Sequence, residues 1–223
     1  MQVVIGCPVF EREWVLPRWL QCVFNQQVLP EDITFVFGIT DGNDNTRGLL
    51  EKYGDMVNAA HFIDCNDLEC FRDRNPARFY PLAEIRNRIL AKVEEIGPDF
   101  YFSWDSDILL PDKALLQLID DDKDVVAPYV ELTPGTPNCV TKVPGFPAFR
   151  RLKPIHHHYP KDQLYPVDIS FACVLMKPVA YDILYEWHQG GEDYGWGLNL
   201  INAGIQCWLD SRIIGHHLLN KDV

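Results

Sequence analysis

The stretch that most constrains this chain runs from Asp99 to Pro111, where an aromatic segment is followed at once by two carboxylates. Its first part, residues 100–104, is short, apolar and rich in aromatic side chains, which is typical of a buried central strand. Asp105 and Asp107 follow directly, and two carboxylates one residue apart repel each other and resist removal from water. A divalent cation removes that cost, because Mg2+ and Mn2+ prefer oxygen ligands. The sequence therefore predicts a metal-binding strand end; the alternative is a turn with solvated aspartates.

Strand and helix patterns alternate along the chain, which is typical of an α/β protein with a mostly parallel sheet flanked by helices. Ligands of such sheets bind outside the carboxyl ends of the strands. The 223 residues are enough for one domain, spanning 1–223. Strands are predicted at 2–6, 33–39, 60–64, 100–104, 125–130, 167–176 and 206–214, and helices at 14–24, 47–53, 82–96, 112–120, 179–187 and 189–203.

The net charge and composition of the chain limit the classes of molecule that it is expected to bind. The net charge of −12 opposes a broad nucleic-acid-binding surface, which needs clustered Lys and Arg. The proline-rich segment 133–166, too long for a plain connector, contains the basic exception: Arg150, Arg151, Lys153, His156, His157, His158 and Lys161. We interpret this segment as a surface flap or, alternatively, as a lid or acceptor-binding loop.

The cellular compartment of the protein is predicted from the spacing of its cysteines and from the start of the sequence. Seven cysteines without regular spacing indicate reduced, packed thiols in a cytoplasmic protein. The chain begins directly with a strand pattern, with no signal segment, and no apolar run reaches 18 residues, so no membrane span is expected.

Arg86 lies inside the apolar stripe of the helix predicted at 82–96. A guanidinium on the buried side of a helix needs an anionic partner. We expect either an ion pair with an aspartate at the edge of the core or a contact with a phosphate or base of a ligand.

A second acidic pair, Glu192 and Asp193, opens the helix that ends near Ala203. Carboxylates at a helix start are favoured by the helix dipole, which by itself explains the pair. Gly195 and Gly197, however, cost about 1 kcal/mol each relative to Ala inside a helix. Their presence predicts that another part of the chain approaches this helix closely.

Six segments in this order resemble GT-A glycosyltransferases of the large family-2 type, over about residues 2–217. They are the opening strand and turn at 3–10, the Thr-Asp-Gly-Asn-Asp turn at 40–44, the Glu-Ile-Arg-Asn-Arg helix segment at 84–88, the Asp-Ser-Asp motif at 105–107, the Glu-Asp pair at 192–193 with Trp196, and the closing strand at 209–216. The resemblance implies a GT-A fold with a nucleotide-sugar-binding half at 1–110 and an acceptor-binding half at 111–223.

The resemblance also implies a role for each matching residue. The donor-binding residues would be Pro8, Val9 and Asp41 at the nucleobase, Arg86 at the base or diphosphate, and Asp105 at the ribose or a metal-bound water. The metal contacts would be Asp105, Asp107 and His216, with His217 as the alternative because the two histidines are adjacent. The catalytic residues would be Asp193 as general base and Glu192, which would help to hold the helix start or the acceptor.

The activity implied is transfer of a sugar from a nucleoside-diphosphate sugar to the hydroxyl of a saccharide or other acceptor, with Mn2+ or Mg2+ and with inversion. A UDP-sugar is the first expectation, although Thr40 stands where the family often has an Asp that contacts uracil. A sugar nucleotidyltransferase would need a Gly-rich basic loop, and residues 6–14 contain one Gly and one Arg. The remaining alternatives are a non-catalytic nucleotide-sugar-binding module and a phage-type enzyme acting on DNA bases.

Overall fold

A computed structural model of the chain describes residues 1–69, 76–142, 149–151 and 162–218. Of the predicted basic segment, Lys153, His156, His157, His158 and Lys161 lie outside the described residues, as do the side chains of Arg150 and Arg151.

The described residues form a mixed α/β fold in which helices cover both faces of a large sheet. The helices are α1 (Leu16–Phe24), α2 (Thr46–Gly54), α3 (Phe79–Ile96), α4 (Ala114–Asp120) and α5 (Glu192–Ala203). The strands are β1 (Val3–Val9), β2 (Ile33–Ile39), β3 (Ala59–Asp64), β4 (Phe100–Trp104), β5 (Ile108–Leu109), β6 (Val125–Thr133), β7 (Thr136–Pro137), β8 (Cys139–Lys142), β9 (Phe149–Arg151), β10 (Leu164–Val167), β11 (Ile169–Ser170), β12 (Cys173–Met176) and β13 (Cys207–His217).

The main sheet is mostly parallel, as the alternating pattern predicts. Its strand order is β10-β13-β6-β12-β4-β1-β2-β3. The pairings between β1, β2, β3 and β4 are parallel, and β13 pairs parallel with β6, whereas β12 and β10 run antiparallel to their neighbours. The carboxyl ends of β1, β2, β3 and β4 therefore lie at one edge of the sheet, where the ligand site of such a fold is expected.

Alternating side chains of the central strands enter two apolar layers, one on each face of the sheet. On one face α1 and α4 pack against β1, β2 and β4, with the buried Trp19 ring 5.5 Å from that of Trp104. On the other face α3 and α5 cover the sheet. Gly38 allows α3 to pack closely against β2, because a Cβ at this position would lie 2.3 Å from the side chain of Ile85.

Two predicted elements differ from the structure. The helix predicted at 179–187 is wrong: only a 3-10 turn, Pro178–Ala180, forms there. In the residues that follow, backbone groups form hydrogen bonds with side chains of neighbouring helices instead. The Asn87 side chain of α3 accepts from the Tyr185 N–H (2.7 Å) and donates to the Tyr185 carbonyl (2.9 Å). The strand predicted at 167–176 is broken into β11 and β12, with Ala172 at φ 70° between them.

The segment predicted to be irregular, 133–166, contains four short strands, β7–β10, in its described part. Strands β8, β9 and β11 form a small antiparallel sheet beside the main one. No helix within the described ranges is long and apolar enough to cross a membrane.

Candidate active site

Asp105 and Asp107 stand on a tight turn at the carboxyl end of β4. The Ile108 N–H donates to the Asp105 carbonyl at 3.1 Å, and the Trp104 indole N–H donates to the Ile108 carbonyl at 2.8 Å. The turn buries Ser106 and leaves the two aspartates partly accessible, with side-chain exposures of 28% and 15%. The local fold thus holds both carboxylates at the edge of the sheet formed by the carboxyl ends of its parallel strands.

Arg86 links this turn to the second acidic pair. The guanidinium, whose side chain is 4% exposed, donates to Glu192 Oε1 (3.1 Å), Ser103 Oγ (3.1 Å) and Asp105 Oδ1 (2.9 Å). Its carbon lies 5.4 Å from the ring centre of Tyr185, a distance that allows a cation–π interaction. These contacts are those of the buried ion-pair alternative. The predicted contact of Arg86 with a nucleobase or diphosphate stays a prediction.

Asp193 occupies the start of α5 with its carboxylate held from two sides. Its Oδ2 accepts from the Ala172 N–H at 3.0 Å, and its Oδ1 lies 3.6 Å from Arg86 Nε. Burial, together with the negative charges of Glu192 and Asp105, raises the pKa of Asp193 to about 7 despite the opposing effect of Arg86. A carboxyl group with a pKa near neutrality is suited to general acid–base chemistry.

The close approach predicted from Gly195 and Gly197 is confirmed. A Cβ on Gly195 would lie 2.1 Å from the Glu186 carbonyl oxygen, and one on Gly197 would lie 2.5 Å from the side chain of Ile169. The extended segment after Ala180 and the short strand β11 therefore press against the first turns of α5. This packing fixes the helix start that carries Glu192 and Asp193.

Asn138 supports the bend that holds Asp193, and no sequence pattern marks this residue. It is fully buried, and its side chain accepts from the Val130 N–H (3.0 Å) and donates to the Pro128 carbonyl (2.9 Å). Its backbone carbonyl accepts from the Phe171 N–H at 2.8 Å. The chain is thereby fixed immediately before Ala172, whose N–H binds the Asp193 carboxylate.

On the other side of the turn, Asp107 faces His217 and Arg12. Asp107 Oδ1 lies 3.5 Å from His217 Nε2, and Asp107 Oδ2 lies 3.2 Å from the Arg12 guanidinium. Burial alone raises the pKa of Asp107, but hydrogen bonding to His217 and the charge of Arg12 outweigh it, so the pKa is lowered. For Asp105, burial and the charge of Asp107 outweigh the opposing effect of Arg86, and the pKa is raised.

The residues at Asp107 fit a divalent cation. His217 Nδ1 lies 2.8 Å from the Leu132 carbonyl, so this nitrogen carries a proton, while Nε2 faces Asp107 Oδ1. Burial lowers the pKa of His217, but hydrogen bonding to Asp107 outweighs it and the pKa is raised, so without a metal a proton lies between the two groups, and a divalent cation would take its place. A carbonyl partner on the other ring nitrogen is usual for metal-binding histidine. The 3.5 Å between Asp107 Oδ1 and His217 Nε2 is close to the roughly 3 Å that separates adjacent ligand atoms of an octahedral metal ion. Within the described ranges no group of three His, Cys, Asp or Glu side chains is assembled for a metal, so the protein offers a pair.

His216, named from the sequence as the third metal contact, points elsewhere. It is exposed, as alternation along β13 requires when His217 faces Asp107. The register of β13 against β5 pairs His217 with Ile108 and His216 with Leu109. Of the two adjacent histidines, it is therefore His217, the alternative, that lies beside Asp107.

The residues named for the nucleobase lie at the same edge of the sheet. Pro8 and Val9 end β1, and Val9 is buried with its carbonyl accepting from the Thr40 N–H at 3.2 Å. Asp41 follows β2, is 49% exposed in its side chain, and accepts from Arg47 and Asn66, each at 2.7 Å. These hydrogen bonds lower the pKa of Asp41.

No family model matches the chain, and no curated protein matches it. Solved structures do match. S. aureus TarS, residues 1–349, has a TM-score of 0.61 and 16% sequence identity, over 96% of this chain and 60% of that one. GalNAc-T7 with UDP, GalNAc and Mn2+ has a TM-score of 0.66 and 12% identity, over 97% of this chain and 43% of that one.

The mannosyltransferase PcManGT from Pyrobaculum calidifontis, in complex with GDP-Man and Mn2+, has a TM-score of 0.60 and 11% identity, over 99% of this chain and 58% of that one. The chain thus spans about 60% or less of the length of these three proteins. At such identities the likeness establishes the fold. The chain has the fold of the GT-A glycosyltransferases.

Proposed function

We propose that this protein transfers a sugar from a nucleoside-diphosphate sugar to an acceptor hydroxyl. The observation that carries the proposal is the single network at the sheet edge, in which Arg86 joins Asp105 of the β4 turn to Glu192 and Asp193 of α5. The bound ligands named for the neighbouring structures, UDP or UDP-GlcNAc for TarS, UDP for GalNAc-T7 and GDP-Man for PcManGT, support a donor of this class.

Asp193 is the proposed general base. Its carboxylate is held by the Ala172 N–H, and its pKa of about 7 allows it to take the acceptor's proton near neutral pH. Glu192, which is buried and bound to Arg86, is proposed to hold the guanidinium in place. A single carboxylate base fits direct attack of the acceptor on the anomeric carbon, so we propose inversion.

The donor is proposed to lie along the carboxyl ends of β1, β2 and β4. Asp107 and His217, with Asp105 beside them, would hold Mn2+ or Mg2+, and the cation would stabilise the negative charge that develops on the leaving diphosphate. Pro8 and Val9 would contact the nucleobase, and Asp41 would lie at the rim of its pocket. The donor nucleotide is proposed to be a uridine or a guanosine diphosphate, and a UDP-sugar is the first candidate. Saccharides are the first acceptors to test.

We also propose that the protein works in a reducing compartment such as the cytosol. The cysteines within the described residues form no disulfide, and five of these six are buried among apolar side chains.

The first experiment is thermal unfolding with UDP, GDP, CDP, TDP and ADP, each with Mn2+ and with EDTA. A nucleotide at 100 times its Kd adds about 2.7 kcal/mol to the stability of the folded state. For a protein of this size that raises Tm by roughly 5–10 °C. We expect one nucleotide to give this shift with Mn2+ and to lose it in EDTA and in Asp107→Ala.

The second experiment measures release of that nucleoside diphosphate from its sugar donors with a panel of saccharide acceptors. Asp193→Asn keeps the shape of the base but cannot accept the proton, so turnover should be abolished while the nucleotide-dependent Tm shift is retained. A Tm shift without turnover in the unmodified protein would favour the binding-module alternative. No shift with any nucleotide would contradict the donor site itself.

A further inference from the structure

Arg12 reaches the acidic turn from the loop that follows β1. Its guanidinium lies 3.2 Å from Asp107 Oδ2, on the oxygen that His217 does not face. The side chain of Arg12 is 37% exposed, so it lies at the solvent side of the turn rather than within the core. The resemblance to the family assigns no role to this residue.

The backbone of the Arg12 loop is fixed independently of its side chain. The Arg12 N–H donates to Thr46 Oγ1 at 2.7 Å, and the Glu13 N–H donates to Asp44 Oδ2 at 3.1 Å. In return, Glu11 Oε1 accepts from the Asn43 N–H at 3.1 Å. The loops after β1 and β2 are therefore tied together, and a change of partner by Arg12 needs only rotation of its side chain.

The charges of the site show why a change of partner is expected. The β4 turn and the start of α5 contribute four carboxylates, from Asp105, Asp107, Glu192 and Asp193, whereas the side chains paired with them contribute two guanidinium groups. The guanidinium of Arg86 is enclosed, but that of Arg12 is accessible. A diphosphate brings further negative charge, and an accessible guanidinium bound to one carboxylate oxygen is suited to bind phosphate oxygens instead.

We propose that Arg12 is an internal counter-ion for Asp107 that a divalent cation displaces, and that the released guanidinium then binds the diphosphate of the donor. This inference rests on the proposed function. It predicts that Arg12 opposes binding of the metal alone and favours binding of the nucleotide once metal is present. A purely structural ion pair would not give effects of opposite sign.

The test compares the unmodified protein with Arg12→Gln and with Arg18→Gln. Arg18 is an exposed arginine on α1, so its substitution changes the net charge equally without touching the Asp107 ion pair. Mn2+ binding without nucleotide is measured by electron paramagnetic resonance of the free ion at pH 7.5. UDP and GDP binding is measured by calorimetry at saturating Mg2+, and circular dichroism checks that each variant is folded.

We expect Arg12→Gln to bind Mn2+ about two- to fivefold more tightly, the range corresponding to a partly exposed ion pair. The same variant should bind the nucleotide about tenfold more weakly, the value of a lost charged hydrogen bond. Arg18→Gln should change neither by more than about twofold.

Three results would overturn the proposal: unchanged Mn2+ affinity in Arg12→Gln, weaker Mn2+ binding in that variant, or unchanged nucleotide affinity. If the unmodified protein still binds nucleotide in the presence of Mn2+, any of these results contradicts only the role of Arg12 and remains compatible with the proposed donor site. Absence of Mn2+ and nucleotide binding in all three proteins contradicts both this proposal and the proposed function.

Discussion

Replacing Arg86 with methionine tests the idea that one buried guanidinium holds the acidic site together. Methionine keeps much of the apolar stem of arginine and removes its charge and its donors. In the structure the guanidinium side chain is 4% exposed and donates to Glu192, Ser103 and Asp105. Its removal leaves Glu192, Asp105 and the nearby Asp193 without their shared counter-ion, so their negative charges are no longer compensated by the guanidinium.

The expected cost follows from the burial of these groups. Removing one partner of a buried ion pair typically costs about 3–5 kcal/mol, because the remaining charge is left uncompensated. That is a large share of the roughly 5–15 kcal/mol by which a domain is stable. We therefore expect Arg86→Met to lower the free energy of unfolding at pH 8 by about 3–5 kcal/mol.

The loss should also depend on pH. Arg86 lowers the pKa of Asp193, which is about 7 with the guanidinium present, so the pKa rises further in Arg86→Met. For an acid whose pKa is higher in the folded than in the unfolded state, stability is present at low pH and is lost as the pH rises through the folded pKa. Each unit added to this pKa makes the cost of the substitution larger by about 1.4 kcal/mol above that pKa. The variant should thus differ less from the unmodified protein at pH 5.5 than at pH 8.

Urea unfolding at pH 5.5 and pH 8, followed by circular dichroism, measures both effects. Arg88→Met is the matched control. It lies on the same helix, and its guanidinium makes hydrogen bonds of 2.7 and 2.6 Å to Asp67, but that aspartate is exposed. Exposed ion pairs contribute little, so its effect should be much smaller. A loss in Arg86→Met below about 1 kcal/mol, or equal to that in Arg88→Met, would refute the reasoning from burial.

Three further substitutions or conditions test other parts of the site. If Asp193 is the base, kcat should rise with pH through about 7, since the carboxylate form is the active one; a flat profile from pH 5 to pH 9 argues against it. His217→Gln should weaken Mn2+ binding measured by paramagnetic resonance by roughly tenfold or more, whereas His216→Gln, on the exposed side of β13, should leave it unchanged; the reverse order would return the contact to His216. Gly195→Ala should lower stability by at least about 2 kcal/mol in urea unfolding, because its Cβ would lie 2.1 Å from the Glu186 carbonyl; an effect below about 0.5 kcal/mol would show that the segment relaxes easily.

The fold was largely predictable because hydrophobic periodicity is a local signal. The apolar run at 100–104 and the stripe of the 82–96 helix correspond to β4 and to most of α3. The error at 179–187 has a physical reason: the apolar spacing there is compatible with a helix, but Asn87 and Asn199 supply hydrogen bonds to the backbone of Tyr185 and Leu184. Partners that lie so far along the chain are invisible to a local pattern.

The site was less predictable than the fold. Periodicity placed Arg86 on the buried side of its helix, which the structure confirms, but gave no means to choose between a carboxylate and a ligand as its partner. Arg12 is marked in the sequence only as the single basic residue within 6–14. Choosing between His216 and His217 required the register of β13 against β5, which adjacent histidines cannot reveal from sequence.

The two acidic motifs, which the sequence presents as separate features, form one electrostatic unit. Asp105 belongs to the first half of the chain and Glu192 to the second, yet both accept from the same guanidinium. A buried polar network stabilises one arrangement when all its members are paired and is costly when one is missing. Arg86 therefore couples the position of the proposed donor-binding turn to that of the proposed base. This coupling explains why a positively charged residue is kept inside an apolar helix face, where a hydrophobic side chain would otherwise be expected.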